Sequence, residues 1–467
     1  MAWYHDGMST AAGRARPTLN KGEEIALTID RLAYGGRGVG RLDGFVVFVP
    51  NTAPGDRVRA RPWRIKSGYA EADLAAVDVP SPLRTPPPCP HFGPCGGCVW
   101  QHVAYAAQAQ AKEDVVRVSL AHLGGVRDAE VRPIIAMADP WRYRNKMEFA
   151  FHPDGSLGLH RRGAFDRVVP IETCLLQSDA ANGILRLVRE FADGAGVSRY
   201  NARDHTGLLR QLVIREARAT GEIMVALVTT APEVPGLRAL ADRLMRAQPR
   251  IVGVLHGLNA GPSDGVPLSG VAVLAGRGHL YESLAGLRFR IGLETFFQTN
   301  TAQAERLAET VEAFAAPTGA ETVYDLYCGV GTFALALARR AARVYGIEVV
   351  PAAIEAAREN AALNALSNVE FASGDVRKAL PELRRRAAPA DLIVLDPPRS
   401  GAGGRVMRRI VEAAAPRVVY VSCNPTTLAP DLKELVAGGY AIRTAQPLDL
   451  FPHTHHVECV VLAERPR

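Results

Sequence analysis

The chain has 467 residues, 48% hydrophobic and 22% charged, an ordinary soluble balance with room for roughly three domains. No stretch approaches the ~18 consecutive apolar residues of a membrane helix, and MAWYHDGMSTAAGRARP lacks the apolar core of a secretory signal, so a cytoplasmic protein is expected. A net charge of +7 and a pI of about 9.1 favour a polyanionic partner.

The N-terminal segment reads as a short disordered tail in which Met8 is an alternative start. From about 17 to 80, short strands broken by Gly-rich and Pro-Gly turns predict a small β-barrel. Within it, RVRARPW places Arg57, Arg59 and Arg61 at period two, on one face of a strand, with Trp63, Arg64, Lys66 and Tyr69 following. Arginines interleaved with aromatics suit RNA, because guanidinium pairs with phosphate and rings stack on bases.

Pro-rich VPSPLRTPPPCP (79–90) reads as a linker. Residues 81–290 form a second unit, expected to be antiparallel sheet with some helix. MEFAFHPDGSLGLH, LLRQLVIREARATGEIMVALV and VAVLAGRGHLYESLAGLRFRI each read as a hairpin around a turn-forming centre. A helix is expected at 103–121, packing on a different unit from its neighbours.

The unit opens on Cys89-x5-Cys95-x2-Cys98. Clustered thiols in a reducing compartment are metal ligands more often than disulfides. A fourth ligand is needed, and Cys174 is the one cysteine left outside the third unit. Spacing alone does not choose between tetrahedral zinc and an iron–sulfur cluster, and His91 is an alternative ligand.

From 291 to 467, apolar strand candidates at 322–327, 343–347, 391–395 and 418–422 alternate with helical stretches. This is the pattern of a mostly parallel sheet covered by helices. VYDLYCGVGTFALALA carries Asp325, Gly329 and Gly331 as Asp-x-x-x-Gly-x-Gly between a strand and a helix. Glu348 ends the next strand, where a carboxylate can accept both ribose hydroxyls of an adenosine. Asp375 follows the third strand and Asp396 the fourth, a set suited to a nucleoside cofactor. The turn looks like the S-adenosylmethionine-binding turn of class I methyltransferases rather than a nicotinamide site.

Cys423, in VSCNPTTL, poses a separate question. A lone cysteine is most often packing. However, DPPR (396–399), SCNPTTLAPD (422–431) and FPHTHHVE (451–458) stand in order along the sheet, with ETFFQTN (294–300), YRNKMEF (143–149) and the cysteine cluster upstream. Together they resemble the RNA (uracil-5-)-methyltransferase family, whose members modify uridines of 23S rRNA and tRNA. The first unit resembles the TRAM domain of the rRNA-modifying members.

The resemblance implies an N-terminal TRAM barrel, a central α+β domain and a C-terminal class I methyltransferase domain. It implies Cys423 as nucleophile and Glu458 as base. It places S-adenosylmethionine on Gln298, Tyr327, Thr332, Glu348, Asp375 and Asp396, and a [4Fe–4S] cluster on Cys89, Cys95, Cys98 and Cys174. Some relatives carry Asn at the position of Thr332, and Asp396 could instead hold the uracil edge.

The chemistry explains the thiol. Uracil C5 is too electron-poor to attack a methyl sulfonium until a thiolate adds to C6, and a base must then remove the C5 proton. Amino methylation of adenine needs no such cysteine and expects an aromatic where Arg399 stands; cytosine-C5 enzymes usually place the nucleophile after a proline. The expected substrate is 23S rRNA, with tRNA or a non-catalytic ribosome-assembly role as alternatives, and the protein is expected to be a monomer with no membrane partner. His453, His455 and His456 are not expected to bind zinc, and Cys328 and Cys459 are expected to be packing.

Overall fold

The computed structural model describes residues 19–263 and 268–466. The expected N-terminal tail and Met8 lie outside the described residues. Strands β1 (Ile25–Leu32), β2 (Gly38–Leu42), β3 (Phe45–Val49), β4 (Arg57–Ile65) and β5 (Tyr69–Val79) close a barrel in the order β1-β2-β3-β5-β4. Strand β4 shows why: Val58, Ala60 and Pro62 alternate inward while Arg57, Arg59 and Arg61 alternate outward. The stripe therefore forms, but much of its charge is already matched. Arg59 spans Glu24 (2.9 Å) and Asp78 (3.0 Å), and Arg61 meets Glu24 at 2.6 Å.

Helix α1 (Tyr105–His122) and the short β6 (Glu130–Val131) follow. A seven-stranded sheet is then built from β7 (Lys146–Phe151), β8 (Leu157–His160), β9 (Val168–Pro170), α2 (Asp179–Gly194), β10 (Leu209–Glu216), β11 (Ile223–Thr229), α3 (Leu237–Ala247), β12 (Ile251–Leu258) and β13 (Gly270–Gly276). Its order is β13-β12-β11-β10-β7-β8-β9. The β7–β8 and β10–β11 hairpins form as read. The sheet is not wholly antiparallel: α3 carries the chain back so that β12 runs parallel to β11, which needs a crossover of that length. The third expected hairpin divides. Strand β13 joins the large sheet, and β14 (His279–Leu284) turns into β15 (Leu287–Gly292) as a separate pair.

The C-terminal unit runs α4 (Thr301–Ala315), β16 (Thr322–Leu326), α5 (Thr332–Ala338), β17 (Arg343–Glu348), α6 (Pro351–Leu363), β18 (Val369–Ser373) and α7 (Val376–Arg386). It continues with β19 (Leu392–Leu395), α8 (Gly404–Ala413), β20 (Arg417–Ser422), α9 (Pro425–Ala437), β21 (Ala441–Leu448) and β22 (Glu458–Glu464). The sheet order is β18-β17-β16-β19-β20-β22-β21-β6, with β18 to β20 parallel and β22 antiparallel.

Its strands are apolar throughout because both faces are covered. Val323, Val394 and Val419 enter one core, while the alternate Tyr324, Leu395 and Tyr420 enter the other. Helix α1 packs on α9 and β6 pairs with β21, so 105–131 rests on the C-terminal sheet. No helix among the described residues is long and apolar enough to cross a membrane.

Candidate active site

The parallel strands end at one edge, and the turns there carry the polar residues. After β16 the backbone enters the left-handed region at Tyr327 (φ 65°), Gly329 (53°) and Gly331 (88°). At Gly331 a Cβ would stand 3.1 Å from the Phe371 ring and 3.3 Å from Leu335, so only glycine fits the turn closely. Glu348, at the end of β17, accepts from Gly329 N (3.2 Å) and Val350 N (2.9 Å), which holds its carboxylate against the turn.

Asp325 lies beneath, fully buried. Neither oxygen has a regular hydrogen-bond partner among the described residues, and burial holds the acid well above its ordinary range. A buried polar group left unmatched is uncommon and suits a site that receives a polar ligand. Asp375 caps α7 and is gripped by Arg377, which keeps its acid near 2. It also faces Tyr327 closely enough to help raise that phenol, although burial is the larger cause.

The ends of β19, β20 and β22 bring Asp396, Cys423 and Glu458 together. Burial pushes the Cys423 thiol up to about 12, the Glu458 and Asp396 carboxyls push the same way, and Arg399 opposes them. Glu458 is raised to about 8 by burial, then by Asp396; Asp396 rises to about 7 by burial. Three acids share one dry corner with one guanidinium in reach of the thiol. Of the groups that act on the thiol, Arg399 favours the thiolate, against burial and the two carboxyls.

Cys423 is half-buried and open to a ligand, whereas Cys328 and Cys459 are sealed in the core. Cys459 pairs in register with Ser422, and Glu458 pairs with Leu448 at the head of β22.

The Asp396–Gly403 segment is held from α9. Asp431 accepts from Ala402 N (2.8 Å), Gly403 N (3.1 Å) and Tyr420 OH (2.6 Å). Asn424 Nδ2 and Thr427 Oγ1 both donate to Arg399 O at 3.1 Å. Arg399 itself was not among the expected site residues; a cation directly after the strand-end Asp-Pro-Pro was its only signal.

Two of the upstream motifs prove to be a lace. Asn145, in YRNKMEF, donates to Gln298 O (2.9 Å) and Thr301 Oγ1 (2.9 Å). Asn300, in ETFFQTN, caps α4 and donates to Leu450 O (2.9 Å). For Gln298 the structure thus shows an anchored backbone beside α4, and Thr332 is the first residue of α5.

The loop leading to Glu458 is anchored from below by Lys112. It reaches Asp449 at 2.5 Å and Phe451 O at 3.0 Å, with both charged groups fully buried. Tyr143 OH adds a bond to Pro452 O (3.1 Å). His453 stacks on Trp141 (3.9 Å), and its carbonyl accepts from Val99 N and Trp100 N. Trp100 Nε1 donates to Gly36 O (3.0 Å), and Tyr34 meets the His455 ring edge-on at 5.3 Å. The barrel, the cysteine loop and the catalytic sheet therefore converge at the histidine loop. Burial keeps His455 near 4 and His456 near 3, so both rings are neutral.

Cys89, Cys95, Cys98 and Cys174 line one cavity of about 580 Å³. Cys95, Cys98 and Cys174 are buried and Cys89 is half-buried. Burial raises Cys98 to about 12 and Cys174 to about 11, and the other thiols of the set push further. Four mutually interacting thiols in a dry pocket are a donor set that a cationic metal centre would relieve. Among the described residues, no three His, Cys, Asp or Glu side chains converge tightly enough for a single metal ion.

Residues 284–466 match the family described as tRNA (Uracil-5-)-methyltransferase, and residues 19–75 match the TRAM domain. A protein of Halalkalibacterium halodurans described as an uncharacterized RNA methyltransferase is 38% identical over 96% of this chain and 98% of its own length. One of Gloeobacter violaceus with the same description is 41% identical over 96% and 98%. The solved structure of Pyrococcus abyssi tRNA (uracil-54, C5)-methyltransferase in complex with S-adenosyl-L-homocysteine superposes with a TM-score of 0.75. It is 29% identical, over 94% of this chain and 99% of that one.

Proposed function

Because the chain belongs to the RNA (uracil-5-)-methyltransferase family, we propose that it methylates C5 of a uridine in RNA by transient covalent attachment to Cys423. The observation that carries this reading is the corner of Cys423, Glu458, Asp396 and Arg399. S-adenosylmethionine supplies the methyl group as an electrophilic sulfonium; Glu348, Tyr327, Thr332, Asp375, Gln298 and Asp396 are the residues proposed to hold it.

The Cys423 thiolate adds to uracil C6, and the C5–C6 π pair moves onto C5 and its carbonyl as an enolate. C5 takes the methyl group as its bond to the sulfonium sulfur breaks and the neutral thioether leaves. Glu458 then removes the C5 proton, the double bond re-forms, and the C6–S bond breaks to return the thiolate. A base whose acid sits near 8 matches proton removal at neutral pH. Arg399 is assigned the stabilisation of the thiolate as it forms and leaves. The target base must leave its stack to reach the half-buried thiol, which an unpaired loop makes cheaper.

Cys89, Cys95, Cys98 and Cys174 are proposed to hold a [4Fe–4S] cluster. The cavity that all four line supports this, and the cluster's role is to fix the fold around the cysteine loop. Of the RNA classes, 23S rRNA follows from the barrel and the cysteine set. A tRNA substrate is favoured by the Pyrococcus tRNA enzyme, whose alignment over 94% of this chain leaves little room for either feature to discriminate.

The test is incubation with S-adenosylmethionine and unmodified 23S rRNA or tRNA, followed by nucleoside mass spectrometry. 5-Methyluridine is expected in one of them, and RNA carrying 5-fluorouridine should form an adduct that survives denaturation. An adduct persisting in Cys423→Ala would remove Cys423 as nucleophile.

A further inference from the structure

The barrel stripe is a weaker electrostatic platform than its composition suggests, since Arg59 and Arg61 are engaged by Glu24 and Asp78. Uncompensated charge lies elsewhere, on the hairpin joining β8 to β9. Arg161 and Arg167 are exposed there, and neither forms a side-chain ion pair among the described residues. The one acid of the tip, Asp166, is taken by Arg203. Between them stands Phe165, 72% exposed, more than any other large apolar side chain described.

A lone exposed apolar residue needs no explanation. This one sits on an unusually rigid support. Gly158 in β8 approaches β9 so closely that a Cβ would stand 1.9 Å from Val169 O. Arg161 N donates to Arg167 O (2.8 Å) and Ala164 N to Arg161 O (3.0 Å), which closes the turn. The hairpin is tied to the cysteine loop by Gly96 N to His160 O (3.0 Å) and Arg162 N to Pro94 O (2.9 Å). It is tied to the barrel by Arg162 Nη1 to Asn51 Oδ1 (3.0 Å). Arg161, Arg162 and Gly163 also line the cavity that reaches Thr295, Phe296 and Phe297, next to Gln298. An exposed aromatic flanked by two exposed guanidinium groups, beside the cysteine-lined cavity, has the chemistry of single-stranded RNA binding.

We propose that the β8–β9 tip is a second RNA contact, in which Phe165 stacks on an unpaired base outside the target uridine while Arg161 and Arg167 hold flanking phosphates. The inference rests on the RNA methyltransferase reading and narrows its substrate to an RNA with a second unpaired nucleotide near the target.

The test uses the full chain with its metal site loaded. Fluorescein-labelled single-stranded oligo(A) and oligo(U) of about twelve nucleotides, and a duplex of equal length, are titrated by anisotropy over a range of salt. Phe165→Ala should weaken single-strand binding about 5- to 100-fold and leave duplex binding unchanged. Phe165→Trp should restore it. Arg161→Ala/Arg167→Ala should lower the slope of log K against log salt by about 1.4. With RNA substrate, Phe165→Ala should raise KM and keep kcat.

Wild-type single-strand affinity in Phe165→Ala, or no rescue by Trp, would overturn the proposal. Binding is read without turnover. A wild-type protein that binds through Phe165 yet forms no 5-methyluridine therefore refutes the methyltransferase reading and supports this contact.

Discussion

Lys112 offers the most quantitative handle on how the catalytic loop is held. Its ammonium meets Asp449 at 2.5 Å with no solvent access on either side, and Asp449 also accepts from Tyr105 OH (2.9 Å) and Phe451 N (3.2 Å). Lys112→Met keeps most of the stem's volume and deletes the charge, leaving a buried carboxylate with neutral donors only. Breaking a buried pair from one side costs about 3–5 kcal/mol. At a urea m-value of about 2.5 kcal/mol/M this is a midpoint lower by roughly 1–2 M. Fluorescence of Trp100 and Trp141, which flank the loop, is a suitable probe. The double variant Lys112→Met/Asp449→Leu removes both charges and should recover most of the loss, because an apolar replacement of a buried pair is often neutral. A single variant within about 1 kcal/mol of wild type, or a double variant worse than the single, would refute the idea that desolvated charge dominates this contact.

The remaining expectations concern the reaction and the RNA. The proposed base Glu458 works only when deprotonated, so kcat/KM should rise with pH through about 8, and the raised Cys423 thiol should carry the rise further. Asp396→Asn removes a charge that raises Glu458, so any residual activity should show that limb shifted toward acid; a shift toward alkali, measured by rate profiles between pH 6 and 10, contradicts the coupling. Glu348→Gln should weaken S-adenosylmethionine binding about 10- to 100-fold by calorimetry, the loss of charge-assisted hydrogen bonds to a ribose. Arg59→Ala should change RNA affinity less than Arg161→Ala, since Arg59 is already shared between Glu24 and Asp78.

What could be read from the sequence follows a physical division. Strands β16, β17, β19 and β20 were legible because a parallel sheet covered on both faces must be apolar at every position. Their ends were legible for the same reason: Glu348, Asp396 and Cys423 are where an apolar run abruptly meets a polar turn. The barrel was legible from alternation and turns, but its charge was not. Glu24 lies 35 residues before Arg59 and is brought beside it by pairing of β1 with β4, a register that composition does not encode.

The same limit hid the link between YRNKMEF and ETFFQTN, whose Asn145 and Gln298 meet across 153 residues. It also hid the parallel β11–β12 pair and the division of the third hairpin. Nothing in the sequence around Phe165 marks it as outward-facing, and its exposure is visible only in the folded chain. Chemistry written at the end of one element is therefore visible in one dimension, while chemistry assembled between loops is not. The Cys423 corner combines both kinds: its proposed nucleophile and base sit at strand ends, but the backbone of the segment that carries Arg399 is held by Asn424, Thr427 and Asp431. A substitution at Asn424, Thr427 or Asp431 can thus disturb the site without touching Cys423 or Glu458.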